Sequence, residues 1–225
     1  MNSPMDIERA RFNMVEQQIR PWEVLDQGVL DLLFVVRRED FVPEKYRSLA
    51  FVDMEIPLTD DASADQRMLS PKLEARMLQE LALKPSDRIL EVGTGSGYMT
   101  ALLAKRGAHV VSVEIVPAFS TLAASRLAAH GITNVTLEIG DAACGWSKHA
   151  PYDAIVLTGS VPVLAEAFAR NLNPGGRLLA VVGDTPVMEV RLTTCATSGA
   201  CHSIELFETC ITPLRNAPQP ERFVF

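Results

Sequence analysis

Apolar positions in the first third of the chain recur at helical spacing. Leu25, Val29, Leu32, Leu33 and Val36 fall at i, i+4, i+7, i+8 and i+11, so they share one face of a helix. Residues 6–19 repeat that pattern and stop before Pro21, a residue that breaks a helix interior. A third helix fits residues 72–83, with Leu73, Met77, Leu78 and Leu81 turned inward. Pro43, Pro57 and the polar run 59–66 read as loops around one short extended piece near residues 50–56.

The period changes after Asp87. Short β-rich runs at 88–92, 109–113, 135–139, 154–157 and 178–182 alternate with helical stretches at 98–105, 117–130 and 162–172, the last closed by Asn173, Pro174, Gly175 and Gly176. Strands that alternate with helices build a parallel sheet with crossover connections. Two further runs, 188–195 and 202–208, bracket the turn-like residues 197–200 and predict an antiparallel edge. The expected class is therefore α/β, a Rossmann-like doubly wound sheet, mostly parallel, with N-terminal helices. Residues 1–84 would form a helical cap packed on a core of residues 85–225, the two making one domain.

Composition narrows the partners. Twenty-one Lys and Arg against twenty-eight Asp and Glu give a net charge of -7, which offers no field to gather a phosphate backbone, so no nucleic-acid partner is expected. The opening twenty residues hold no uninterrupted apolar run, so neither a secretory signal nor a membrane anchor is expected, and the location expected is cytoplasmic. Cys144, Cys195, Cys201 and Cys210 lack CxxC spacing and any neighbouring histidine pattern; they read as reduced thiols, and no metal site is expected. The terminal Phe223, Val224 and Phe225 are expected to dock on the body or on a second subunit, with the oligomeric state left open.

The chemistry concentrates at the first β-run. Glu91-Val92-Gly93-Thr94-Gly95-Ser96-Gly97 places a glycine loop between a strand and a helix, where the backbone can turn tightly and approach a ligand. A dinucleotide fingerprint starting at Gly93 needs its third glycine at position 98, but Tyr98 stands there and the third glycine is Gly97. Glu91 is read at the mouth of the loop, where a carboxylate repels a pyrophosphate and suits the ammonium and sulfonium of S-adenosylmethionine. Glu114, twenty-one positions after Gly93, ends the second strand and can accept ribose hydroxyls; Asp141 ends the third, within reach of an adenine amino group.

These residues, with Arg38-Glu39-Asp40-Phe41-Val42-Pro43, Leu49-Ala50-Phe51-Val52-Asp53, Ala150-Pro151-Tyr152-Asp153-Ala154-Ile155 and Leu172-Asn173-Pro174-Gly175-Gly176-Arg177-Leu178, resemble the protein-L-isoaspartate O-methyltransferase family along nearly the whole chain. The resemblance implies a class I methyltransferase fold and methylation of a carboxylate in a protein, a peptide or a small acid. It implies S-adenosylmethionine as cofactor, leaving S-adenosylhomocysteine, held by Glu91, Gly93, Thr94, Gly95, Gly97, Glu114, Asp141 and Ala142.

One departure bears on the acceptor. Where the family carries a serine at the substrate carboxylate this chain has Leu69, with Arg67 at a threonine position and Ser70 one residue away. Arg67, Leu69, Thr158 and Ser160 are the expected acceptor residues, and Ser70 is the candidate for the missing catalytic hydroxyl. Asp60, Asp61 and Asp65 add negative charge nearby, so turnover of isoaspartyl peptides is expected to be weak or absent unless Arg67 compensates. Three readings stay open at this point: an isoaspartyl carboxyl methyltransferase, a methyltransferase of the same fold with another acceptor, and a cofactor-binding protein without catalysis.

Overall fold

The computed structural model describes residues 4–61 and 65–220. Residues 223–225, expected to dock, lie outside the described residues. The chain opens with α1 (Pro4–Asn13), which runs on through a wider helical turn at Met14–Ile19 and a tight one at Arg20–Trp22. After it come α2 (Gln27–Val35), the short antiparallel pair β1 (Ile56–Pro57) and β2 (Arg67–Met68), and α3 (Pro71–Glu80). Asp26 starts α2 by accepting the Val29 N–H at 3.0 Å, which leaves Leu25 outside the helix and exposed. Of the predicted extended piece only Ile56 pairs.

The main sheet follows the predicted alternation: β3 (Arg88–Val92), α4 (Tyr98–Arg106), β4 (His109–Glu114), α5 (Pro117–Ala129), β5 (Val135–Ile139), β6 (Tyr152–Leu157), α6 (Glu166–Arg170), β7 (Leu172–Asp184), β8 (Val187–Cys195) and β9 (Cys201–Thr209). Its order is β5-β4-β3-β6-β7-β8-β9, parallel through β7 and antiparallel beyond it. The order reverses at β3, and the crevice outside the carboxyl ends of β3 and its neighbours is where such sheets hold ligands.

Both faces of the central strands are buried. Ile89, Val110 and Val156 join one apolar cluster with Leu30, Met77 and Leu102, so the N-terminal helices share a core with the sheet. Leu90, Val111 and Ile155 point the other way, onto Phe168 and Leu172.

Two elements differ from expectation. The helix expected at 162–172 shrinks to α6, because Val161 is drawn into a bridge with Val182 and its N–H bonds the Val181 carbonyl at 2.9 Å. The residues expected to close that helix, 173–176, instead interrupt β7: its register against β6 jumps from Tyr152↔Leu172 to Ala154↔Arg177, and Asn173 ties the excursion to Asp153 at 2.7 Å. The cysteine expectation is also corrected. Cys195 and Cys201 face each other across the β8–β9 hairpin and form a disulfide, while Cys144 and Cys210 are free and exposed. The hairpin register brings the two thiols together, although the sequence offers no recognised motif.

Candidate active site

A cavity of about 390 Å³ lies at the carboxyl ends of β3, β4 and β5. One wall is made by Gly93 and Gly95 of the glycine loop, Glu114 at the end of β4, and Asp141 and Ala142 after β5. The opposite wall comes from Glu55, Leu58, Arg67 and Leu69 of the N-terminal region and from residues 212–215 near the chain's end. Apolar Ile115, Val116 and Phe119 complete it.

The glycine loop is shaped from both sides. Gly93 has φ +98° and a β-carbon there would strike the Thr158 hydroxyl, which donates to the carbonyls of Gly93 and Val92. Thr158 lines the cavity, yet its expected acceptor role competes with this structural one. Glu114, 5% exposed, accepts the Gly95 N–H at 2.8 Å and the Val116 N–H at 2.9 Å, so its carboxylate fixes the loop and still keeps free lone pairs toward the cavity. Asp141 accepts from the Ala143 N–H at 3.0 Å and from Asn216 Nδ2 at 2.8 Å. Three of the residues expected at the cofactor stand off the lining: Thr94 is buried against Ser112 at 2.6 Å, Gly97 precedes α4 with its α-carbon face against Ala123, and Glu91 lies deeper still.

Glu91 is the clearest correction. Side chains alternate along a strand, so Glu91 shares a face with Ile89, whereas Val92 reaches the cavity. Its side chain is fully buried and accepts hydrogen bonds from Thr100 of α4 and from Ser112 at 2.6 Å, its register partner on β4. Burial pushes its pKa up to about 8, against the two hydroxyl donors that pull it down. Glu91 thus holds β3, β4 and α4 together, with burial favouring its neutral form, and Ser112 in turn contacts the Thr94 hydroxyl. On the glycine-loop side the carboxylates that face the cavity are Glu114 and Asp141, and it is these that would repel a pyrophosphate.

On the other wall the expected residues separate. Arg67 and Leu69 line the cavity; Ser70 and Ser160 do not. Ser70 takes the N-cap position of α3, its carbonyl accepting from Leu73 and Glu74, which turns it from the cavity lining. Ser160 is fully buried: its hydroxyl donates to the Ile211 carbonyl at 3.1 Å, and its backbone bonds Thr212 and Leu214 at 3.0 and 2.8 Å. It anchors the segment that carries Leu214 and Arg215 into the lining. Leu69 is held likewise by a side chain remote in sequence. The buried Arg38 donates to the Leu69 carbonyl at 2.6 Å and to the Ala50 carbonyl at 3.0 Å, and pairs with Glu74 of α3, whose pKa burial raises and Arg38 opposes.

Sequence reasoning missed Glu55, Arg215, Asn216 and the anchoring role of Arg38. Only Arg38 lay inside a motif, and nothing local signals that residues 212–216 return to the sheet's edge.

The donor set fits S-adenosylmethionine on chemistry: acceptor carboxylates at two strand ends, apolar walls between them and, among the described residues, no cation lining the cavity on the glycine-loop side. Comparison with known proteins agrees. The family model for protein-L-isoaspartate(D-aspartate) O-methyltransferase matches residues 9–211. A protein-L-isoaspartate O-methyltransferase of Methanoculleus marisnigri is 36% identical over 92% of this chain and 91% of its own length; one of Methylorubrum extorquens is 40% identical over 79% and 76%. The fold matches a solved protein-L-isoaspartate O-methyltransferase at TM-score 0.76 and 23% identity, covering 92% of this chain and spanning 65% of that one. It also matches a Plasmodium falciparum chain assigned to the same enzyme class and solved with S-adenosyl-L-homocysteine, at TM-score 0.75 and 20% identity, over 90% of this chain and 97% of that one. This chain belongs to the protein-L-isoaspartate(D-aspartate) O-methyltransferase family of S-adenosylmethionine-dependent carboxyl methyltransferases.

Proposed function

We propose that the cavity binds S-adenosylmethionine along Gly93, Gly95, Glu114, Asp141 and Ala142 and presents to it a carboxylate held by the wall of Glu55, Leu58, Arg67, Leu69 and residues 212–215, isoaspartyl residues being the acceptor that the family's name describes. The observation that carries this reading is that one cavity joins the glycine loop and two strand-end carboxylates to a wall bearing arginines. The cofactor supplies a methyl group on a positively charged sulfur.

Transfer of that methyl to an ionised acceptor oxygen would ask the protein to move no proton. A carboxylate is already ionised at neutral pH, since its ordinary pKa is about 4. The protein's task is therefore alignment and exclusion of water, which alone can supply large rate factors. Glu114 orders the loop, Thr158 pins Gly93, and Leu58 and Leu69 make an apolar floor.

Leu69 supports a second reading. It stands in the cavity where the family's serine would offer a hydroxyl, so the preferred carboxylate need not be an isoaspartyl one. Labelled methyl transfer to an isoaspartyl peptide and to cell extract decides between the two. Base-labile label on the peptide supports the first reading, base-labile label confined to another acceptor supports the second, and base-stable label contradicts carboxyl methylation.

A further inference from the structure

We propose that Arg67 and Arg215 together grip the acceptor carboxylate and that Glu55 accepts an N–H carried on the neighbouring carbon, so that the acceptor is an α-amido or α-amino carboxylate. The inference rests on the reading of the cavity as a carboxyl methyltransferase site.

Arg67 sits on β2, opposite Pro57, and Arg215 lies just beyond Pro213, which Ser160 bridges to the sheet edge. Far apart in sequence, the two guanidinium-bearing residues line the same cavity. Their surroundings there include Leu58, Leu69 and Leu214, none of which can stabilise an anion. A carboxylate brought into such a wall needs cationic donors, because an unpaired buried charge is strongly unfavourable. The planar fork of arginine matches a carboxylate with two parallel hydrogen bonds, which a serine hydroxyl cannot do. Methylation removes the acceptor's charge, so the same pair that holds the substrate releases the neutral ester.

Two arginines would accept any carboxylate; Glu55 supplies the discrimination. It lines the cavity close enough to Arg67 to interact electrostatically, and its Oε1 is buried with no hydrogen-bond partner among the described residues. An acceptor-only oxygen in that state is completed by a donor from the ligand. Burial pushes the Glu55 pKa up and Arg67 opposes it, as a paired arrangement requires. In an isoaspartyl residue the free carboxylate and an amide N–H share one carbon. In the ordinary aspartyl isomer the N–H is one carbon further away, out of register with a carboxylate fixed by the arginines. Asp65 and Arg215 are both exposed at the rim, so solvent screens each, and the half-buried Arg67 carries the larger share of the grip.

The test uses the full chain with labelled S-adenosylmethionine and four probes: an isoaspartyl peptide with blocked ends, its aspartyl isomer, N-acetylalanine and free alanine. The expected result is base-labile methylation of at least one α-amido or α-amino carboxylate, with the aspartyl isomer slower by about tenfold or more. The alanine pair tells an amide from an ammonium source. Arg67→Ala and Arg215→Ala should each raise KM for the accepted probe by about tenfold or more while leaving S-adenosylhomocysteine affinity unchanged. Glu55→Ala should narrow the preference over the aspartyl isomer. Arginine variants that match the parent, or a parent that binds S-adenosylhomocysteine and methylates none of the α-substituted carboxylates, would overturn the proposal. A parent that fails to bind S-adenosylhomocysteine would overturn the underlying reading of the cavity as well.

Discussion

The two walls of the cavity are built by different means. The glycine-loop wall is assembled from the ends of three neighbouring parallel strands, and strand-end carboxylates tie it to nearby N–H groups, Glu114 to those of Gly95 and Val116 and Asp141 to that of Ala143, with Asn216 a distant partner of Asp141. The acceptor wall is hung on single buried side chains that reach across the molecule. Arg38 holds Leu69 from 31 residues away, and Ser160 holds Ile211 from 51. A wall made by sheet topology is the same wherever that topology and a glycine loop recur. A wall made by individual anchors can be re-equipped with few changes.

Breaking the acceptor anchor should give the largest effect. Arg38 is fully buried, and replacing it with methionine leaves the Glu74 carboxylate unpaired and the carbonyls of Ala50 and Leu69 without their donor. Urea unfolding should show a loss of about 3–5 kcal/mol, the scale for removing one partner of a buried ion pair. At a temperature where the variant is folded, S-adenosylhomocysteine should bind it nearly as well as the parent. A comparable loss on the cofactor side would mean that the two walls are not separable.

Glu91 sharpens the comparison through pH. Its folded pKa, about 8, lies above its unfolded value of 4.5, so between those values the folded protein holds a proton that the unfolded chain releases. The stabilisation is complete below the unfolded pKa and is lost as pH rises through the folded one, with a slope of no more than about 1.4 kcal/mol per pH unit. Glu91→Gln keeps an oxygen for Thr100 and Ser112 and cannot ionise. Denaturation midpoints at pH 5 and pH 8.5 should therefore differ less in the variant than in the parent, and an equal difference would show that Glu91 is already ionised.

The smallest effect belongs to the far edge of the sheet. Reducing Cys195–Cys201 opens a loop of separation 6 whose ends the hairpin already pairs, so stability should fall by no more than about 2 kcal/mol. Neither cysteine lines the cavity, and cofactor affinity should not change. Mass measurement before and after reduction reads the bond directly.

The same contrast explains what the sequence discloses. β3 and β5 keep their predicted bounds, and β4 and α4 differ by one residue, because β-rich runs and the glycine loop announce themselves in contiguous residues. Gly93, Gly95, Glu114, Asp141 and Ala142 could be grouped for that reason, and they line one cavity. Glu91 was misplaced although it is adjacent, since the strand's two-residue period decides which face it takes and the motif alone does not. Ser160 looked like a helix cap or a substrate contact; it became an anchor through the return of residues 211–214, a long-range event. Arg215 and Glu55 gave no local signal, and the Cys195–Cys201 pair emerges only once the hairpin register is known. The acceptor wall is therefore the part that a sequence motif conceals.

The most direct test of the central claim is calorimetric titration of S-adenosylmethionine and S-adenosylhomocysteine into the parent and into Glu114→Ala. The account predicts that the parent binds both ligands at one site per chain and that the variant loses about 1.5–3 kcal/mol or more for each, because Glu114 lines the cavity, orders Gly95 and is proposed to accept from the nucleoside that the two ligands share. No binding to the parent, or equal binding to the variant, would contradict it.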